Sequence, residues 1–581
     1  MMGCSSALAL VCLVLTVLLR DILACSTVVV GRKASATGAV MASHSNDGDG
    51  CFCHSSVNRV LAKDWPPNAT RDVKGHPIPQ VPHTYAYHTE GYAAMNEHQV
   101  GLAESTCSGR KFPATGAPST AFMDIVQLGQ LALERANTSR MAVQVMGQLA
   151  EKWGYADATE SLLVIDPREA FVFQIMQDDT RNSSVWVAQR VPDDHVGSVT
   201  NGLTVREVDF ADKDNFLFST TMRDVALRQK LWRDGEPFDF TKVFGAGGIG
   251  EAPLGPQYYV SRRMWVAYKR LAPEADFGNG VMGDFIMDAP LPATVKVRQG
   301  SVRLQDVMNV MRDYYDGTPY DMTVGMAAGP SGSPDRFGGC KDCGALNETV
   351  TGSWERTIAT HHSIVSLVME ARSWLPDPIG GTLWFAPHAA HTSVYAPFPC
   401  GMDILPASYA NGSGWSPSNN FTAALANRAV FGAVQSRFRE AILQLNATRG
   451  KLDNGSLALQ ASTDAAYAAG TLSMDAIGAL FRQNADSIVS SWWDLHNELM
   501  ATQNQDSGYP AWWLKSPDVR YTRPLEGSTA GQSTGAESAT AADSCVHPEV
   551  VDELRAKVAE LERKLRDLQP HAGGHENYVL E

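Results

Sequence analysis

The sequence predicts an α+β fold. β-branched strand segments and helical segments interleave without a strict βαβ rhythm, and the globular part opens on a strand–turn–strand hairpin. Neither G-x-G-x-x-G after a strand nor G-x-x-x-x-G-K-[ST] occurs, so nothing speaks for a dinucleotide or a nucleoside triphosphate.

From the N-terminus, Ala7 to Leu19 is an apolar stretch broken by Arg20 and Asp21. It is short for a bilayer span and suits a signal h-region. Small Ala24 precedes Cys25, so residues 1–24 read as a signal peptide cut between the two. Met1 to Ser6 carry no Lys or Arg, which leaves an uncleaved signal anchor as an alternative. Lipidation of Cys25 is a second alternative, although Ile22-Leu23-Ala24 matches a lipobox poorly. Cleavage before Cys25 would give one residue both a thiol and a free α-amine. That amine has a pKa of about 7.7–8.0, so near neutrality part of it can accept the thiol proton.

Ser26 to Val30 is β-branched and predicts the first strand, Ala34 to Gly38 a turn, and Ala39 to His44 the second strand. Further strands are expected at Gln99 to Ala103, Ser161 to Ile165, Ala170 to Gln174 and Trp186 to Val191. Helices are expected at Met123 to Ala136, Met141 to Trp153, Leu304 to Tyr315, Phe431 to Asn446 and Met474 to Glu498. The globular composition of residues 25–525 gives way to a small, polar linker at 526–545. In 546–569, Val551, Leu554, Val558, Leu561, Leu565 and Leu568 form an a/d seam, predicting a coiled-coil-like helix; 570–581 is a tail. The seam favours self-association, hence a homo-oligomer, over docking on the chain's own domain.

The 581 residues are 44% hydrophobic with a net charge of −15, which argues against nucleic-acid partners and acidic membrane surfaces. No later segment is apolar enough to span a membrane, so none is expected once the leader is removed. Sequons at Asn68, Asn137, Asn182, Asn347, Asn411, Asn420, Asn446 and Asn454 fit a secretory route, extracellular or lysosomal/vacuolar, with glycosylated surface loops. Outside the leader and Cys25 the cysteines are Cys51, Cys53, Cys107, Cys340, Cys343, Cys400 and Cys545, an odd number. In a secreted chain the C-x-C and C-x-x-C pairs favour disulfides over zinc.

Several separated blocks carry a resemblance. Cys25-Ser26-Thr27 runs into Gly31-Arg32-Lys33-Ala34-Ser35, and Asn96-Glu97-His98-Gln99-Val100 leads to Glu104-Ser105-Thr106. Glu160-Ser161, Asp166-Pro167 and Glu169 follow, then Trp186 to Phe210, Asp313 to Thr323 and Trp374 to Phe398. In this order they resemble the N-terminal-cysteine dipeptidases of the dipeptidase A type, relatives of the secernins among the N-terminal nucleophile hydrolases. The resemblance implies a four-layer αββα sandwich and cysteine-type hydrolysis of small peptides, without cofactor or metal. It makes Cys25 the nucleophile, with its own amine as base. Asp47 would orient that amine and Asn201 would serve the oxyanion, with His44 and Asn96 in support. Many relatives carry Arg where this chain has His44; with an ordinary pKa near 6.5, His would replace that charge only at acidic pH.

Other readings of these residues stay open. Asp47 in Asn46-Asp47-Gly48 is also turn chemistry, and Asn201-Gly202 is a common hairpin turn. Calcium-loop spacing fails around Asp47, and His361, His362, His388 and His391 lack H-E-x-x-H spacing, so core or surface roles are expected of them. Cys107 is a rival nucleophile, more simply a buried thiol or half of a disulfide. The same chemistry would also serve an amidase or acylase, and a secernin-like chain need not be an enzyme.

Overall fold

The computed structural model describes residues 25–48, 55–112, 118–245, 260–278, 291–325, 328–335, 356–410 and 422–506, with side chains to 502. All belong to one compact unit ending at Tyr509. The leader, the C-x-C and C-x-x-C pairs, Cys545, the linker and the heptad seam lie outside them, as do Asn347, Asn411 and Asn420.

Two antiparallel sheets organise the described residues. The first has seven strands, in the order Thr294–Lys296, His195–Val199, Ser26–Val30, Val40–Asp47, Ser363–Ala371, Gly381–Pro387 and Ala396–Pro399. The second has eight, in the order Phe216–Phe218, Ser184–Val191, Ala170–Gln177, Thr159–Ile165, Gly101–Cys107, Ala93–Asn96, Tyr87–Thr89 and Asn58–Val60. Ser26–Val30 and Val40–Asp47 pack on Gly101–Cys107 and Thr159–Ile165 of the other sheet.

Alternation along each strand divides the apolar side chains between two environments. Val29, Val40, Ala42 and Leu367 meet Ala103, Leu163 and Val172 in the core between the sheets. Val28, Val30 and Met41 point the other way, onto Trp265, Tyr268, Val307 and Met311 of helices Ser261–Leu271 and Leu304–Met311. On the far side, Leu102, Leu162, Phe171 and Phe173 pack with Leu128, Leu131, Val143 and Met146 of helices Ile125–Arg135 and Ser139–Trp153. Asp124 and Thr138 N-cap those two helices by accepting from Gln127 N and Met141 N.

Several elements depart from expectation. The second strand runs to Asp47 rather than ending at His44, because Ser363–Ala371 pairs along it as far as Ser363 opposite Asp47. The helix from Leu304 stops at Met311; Tyr315, at φ +67°, cannot continue it. The helix expected over 431–446 is two, Ala423–Gln435 and Phe438–Ala468, with Arg437 non-helical between them. Asn446 and Asn454 therefore sit in a helix and not in surface loops, although both are exposed. Asn68, Asn137 and Asn182 are exposed outside helices and strands. Among the described residues no helix is long and apolar enough to cross a membrane.

Candidate active site

Cys25 stands immediately before the strand Ser26–Val30 and is fully buried. Ser26 pairs with Ser45 across the hairpin. Continuing that register puts Cys25 opposite Asn46 and Asp47 one step further, on the side of the Cys25 backbone nitrogen. The link is made by side chains: Ser26 N donates to Ser45 Oγ at 2.9 Å, and Ser45 Oγ donates to Asp47 Oδ2 at 2.9 Å. Asp47 is thus not in a turn. Its carboxylate also takes a hydrogen bond from Ser363 Oγ and an ion pair from Arg356, and both charged side chains are buried.

The other side of Cys25 is held by Arg263, from the helix Ser261–Leu271. One Nη donates to Cys25 O at 3.1 Å and Ser26 Oγ at 3.0 Å; the other reaches Thr200 O at 3.1 Å and Asn201 Oδ1 at 2.7 Å. Ser105 Oγ donates to Cys25 O at 3.4 Å and accepts from Asn201 N at 3.0 Å. Asn201 Nδ2 donates to Thr106 O at 2.6 Å, which leaves its second amide hydrogen for another acceptor. Asn201 takes φ +71°, a left-handed conformation that Asn adopts more readily than most residues. It is not a hairpin turn: the strand before it ends at Val199, and the next strand, Phe216–Phe218, pairs with Ser184–Val191.

His44 follows Val40 and Ala42 on the alternation toward the other sheet. There it meets two buried carboxylates, with Nδ1 3.4 Å from Glu90 Oε1 and Nε2 3.5 Å from Glu104 Oε2. These are ion-pair separations rather than well-formed hydrogen bonds, and His44 Nε2, Glu90 Oε1 and Glu104 Oε2 have no hydrogen-bond partner. Burial works against the imidazolium, but the two carboxylates outweigh it and push the His44 pKa up to about 9. The expectation that His44 carries charge only at acidic pH is therefore overturned. His44, Glu160 and Thr106 lower the Glu104 pKa against its burial, whereas burial and the Glu104 charge push that of Glu160 well above the usual carboxylate range. Burial, then Glu104 and Asp47, push the Cys25 thiol well above its ordinary range. The sulfur here is a thiol, beside an imidazole already carrying its proton.

That charge state has a measurable consequence. With a folded pKa near 9 against an ordinary 6.5, the His44 contribution is complete below pH 6.5 and is lost as pH rises toward 9. His44→Gln is expected to destabilise the protein by roughly 3 kcal/mol at pH 6, and the gap from wild type should close by about pH 9. Urea midpoints across that range check it; a constant gap would mean that His44 is not charged.

Asn96 is not brought to this cluster. Its Nδ2 donates to Leu133 O and Ala136 O, and its Oδ1 accepts from His98 N and Val100 N, so it ties a turn to a helix end. Cys107 is a buried free thiol donating to Ser105 O, and Cys400 is free and buried as well. His391 Nε2 lies 3.0 Å from Asp335 Oδ2 and His361 Nδ1 3.5 Å from Asp335 Oδ1, a pairing that the sequence spacing did not disclose. Among the described residues, the one group positioned to share a metal ion is Cys25, His44 and Glu104. The surface cavity lined by Arg270, Glu274, Lys296, Arg298 and Asp306 includes no member of the cluster.

Sequence reasoning missed Glu90, Arg263 and Arg356 altogether, and quoted Glu104, Ser105 and Glu160 only as parts of blocks. Buried charged residues at scattered positions carry no local pattern. The one available signal was the strand-like run Gly101 to Cys107, interrupted by a carboxylate that must be paired if buried.

Comparison with known proteins gives the same direction. Peptidase family C69 matches residues 24–450. Dipeptidase A of Lactobacillus helveticus is 22% identical over 443 residues, 72% of this chain and 85% of the relative. A probable dipeptidase of Latilactobacillus sakei is 22% identical over 391 residues, covering 63% and 74%. A probable dipeptidase of Salmonella dublin is 23% identical over 401 residues, covering 66% and 82%. With the match spanning most of its length, and beginning one residue before the buried thiol of Cys25, the chain belongs to peptidase family C69.

Proposed function

We propose that the protein is a cysteine-type dipeptidase of the N-terminal nucleophile class, active once cleavage before Cys25 frees its α-amine. The observation that carries this reading is the placement of Cys25, buried at the head of the first strand with Asp47 on the side of its nitrogen and Arg263 and Asn201 on the other. The Cys25 thiol keeps its proton, and His44, already cationic, cannot take it. A base is needed, and the α-amine of Cys25 itself supplies one at neutral pH. Asp47 lies on the side of that nitrogen and would orient the amine, while Ser45 ties its carboxylate to the neighbouring Ser26 N. The amine takes the thiol proton as Sγ attacks the peptide carbonyl carbon. Asn201 donates its remaining amide hydrogen to the oxyanion. The C–N bond then breaks, the leaving amine takes the proton, and water hydrolyses the thioester. The two-sheet, helix-flanked packing fits the four-layer αββα sandwich of this class, and the names of the relatives support short peptides as substrates.

The leader and sequons support a secretory route to the cell exterior or a lysosome-like lumen. The seam from Val551 to Leu568 supports self-association, since so short a helix is marginal alone in water. Truncation after Arg523 is expected to preserve hydrolysis and lower the mass seen by light scattering; an unchanged mass would show that the seam does not link chains.

The activity test is a substrate panel on the secreted protein. Dipeptides are expected to be cleaved well, and peptides longer than about four residues poorly. Cleavage of N-acyl amides with dipeptides untouched would make it an acylase, and no turnover of either would make it a non-enzymatic relative.

A further inference from the structure

We propose that Cys25 Sγ, His44 Nε2 and Glu104 Oε2 form an inhibitory site for a thiophilic divalent cation, of which Zn²⁺ is the type. The three atoms lie within 4.8 Å of one another, and all three side chains are buried. Two of them, His44 Nε2 and Glu104 Oε2, face each other as a buried ion pair without a well-formed hydrogen bond. Their separation of 3.5 Å is that of two ligands on one tetrahedral zinc, about 3.4 Å for bonds of about 2.0–2.2 Å. A thiolate, an imidazole and a carboxylate suit zinc and do not suit magnesium or calcium.

The surroundings are those of a metal site. The second nitrogen of His44 faces Glu90, the carboxylate–histidine–metal arrangement that fixes a ligand's ring. Asn46 Nδ2 holds Glu90 in turn, at 3.0 Å. Thr106 Oγ1 donates to Glu104 Oε1 at 2.8 Å and leaves Oε2 for the ion. Binding is a displacement of protons: Zn²⁺ forms bonds to sulfur and Nε2 while the thiol and the imidazolium each release one proton to solvent. The fourth ligand comes from the maturation proposed above, on which this part rests. The α-amine and Sγ of one cysteine close a five-membered chelate ring, so the cleaved chain holds the ion more tightly than the uncleaved one. The ion ties up the nucleophile and its base together, so it blocks hydrolysis reversibly. Such a site would keep the enzyme silent in a zinc-rich compartment and release it on dilution.

The test uses the full-length mature protein, stripped with chelator, and reads binding without substrate. Zn²⁺ is titrated against a chromophoric chelator, and Co²⁺ is added to look for a thiolate-to-cobalt charge-transfer band. Wild type and Cys107→Ser are expected to bind one equivalent more than Cys25→Ala and to show a band that Cys25→Ala lacks. Glu90→Gln, which spares the three ligands, is expected to bind about 10–100-fold more weakly. Circular dichroism and melting establish that each variant is folded. Zn²⁺ should abolish dipeptide hydrolysis and chelator should restore it. Equal stoichiometry in wild type and folded Cys25→Ala would overturn the proposal, whatever other cysteines bind. Cys25-dependent binding in a protein that hydrolyses nothing when metal-free would leave the site standing and remove the peptidase reading. Hydrolysis without Cys25-dependent binding would do the reverse.

Discussion

Cys25→Ala should leave the fold intact and remove peptide hydrolysis, with Cys25→Ser close behind. Deleting the nucleophile of a hydrolase can cost on the order of 10⁶ in kcat, and a loss of several orders of magnitude is expected here. The serine hydroxyl gives up its proton far less readily than a thiol, and the buried carboxylates around position 25 oppose any anion there. Cys107→Ser supplies the contrast: that buried thiol donates to Ser105 O, a hydrogen bond that a serine hydroxyl can also make, so activity should persist. Single-turnover assays of the three variants beside wild type decide the matter. Equal loss at both positions would move the nucleophile away from Cys25.

The second large effect is on stability. Arg356→Met strands the Asp47 carboxylate in a region closed to water. Removing one partner of a buried ion pair costs about 3–5 kcal/mol, because the other charge is left uncompensated. Asp47→Asn should also destabilise, because it removes the carboxylate that pairs with the buried Arg356. The double variant Asp47→Asn with Arg356→Met removes both charges and should recover much of the loss in chemical denaturation. Its activity should stay low, since the group proposed to orient the Cys25 amine is still missing. A double variant restored in both stability and activity would make Asp47 a scaffold residue only.

Local pattern made part of this legible. The β-branched run Ser26 to Val30, the turn after it and the alternation of the second strand all reflect backbone chemistry that neighbouring residues share, and they place Cys25 and Asp47 on one hairpin. Pattern failed where tertiary contacts decide. The second strand runs on to Asp47 because a partner more than 300 positions away pairs with it. The helix Phe438–Ala468 spreads its few buried residues along 31 positions and carries two glycines, so no apolar stripe announced its length. The charge on His44 was misjudged for the same reason: its pKa is set by Glu90 and Glu104, which no spacing rule connects to it. Arg356 and Arg263 reach the hairpin from 309 and 238 positions along the chain, in segments whose local pattern does not announce them.

The central claim is that one residue provides both nucleophile and base. Intact mass and N-terminal sequencing of the active protein, coupled to dipeptide turnover of the same sample, test it most directly. The expected result is a chain that begins at Cys25 with an unmodified α-amine, and activity that rises and falls with the fraction of molecules so processed. A protein that hydrolyses dipeptides at full rate with residues still attached before Cys25, or with that amine blocked, would contradict it.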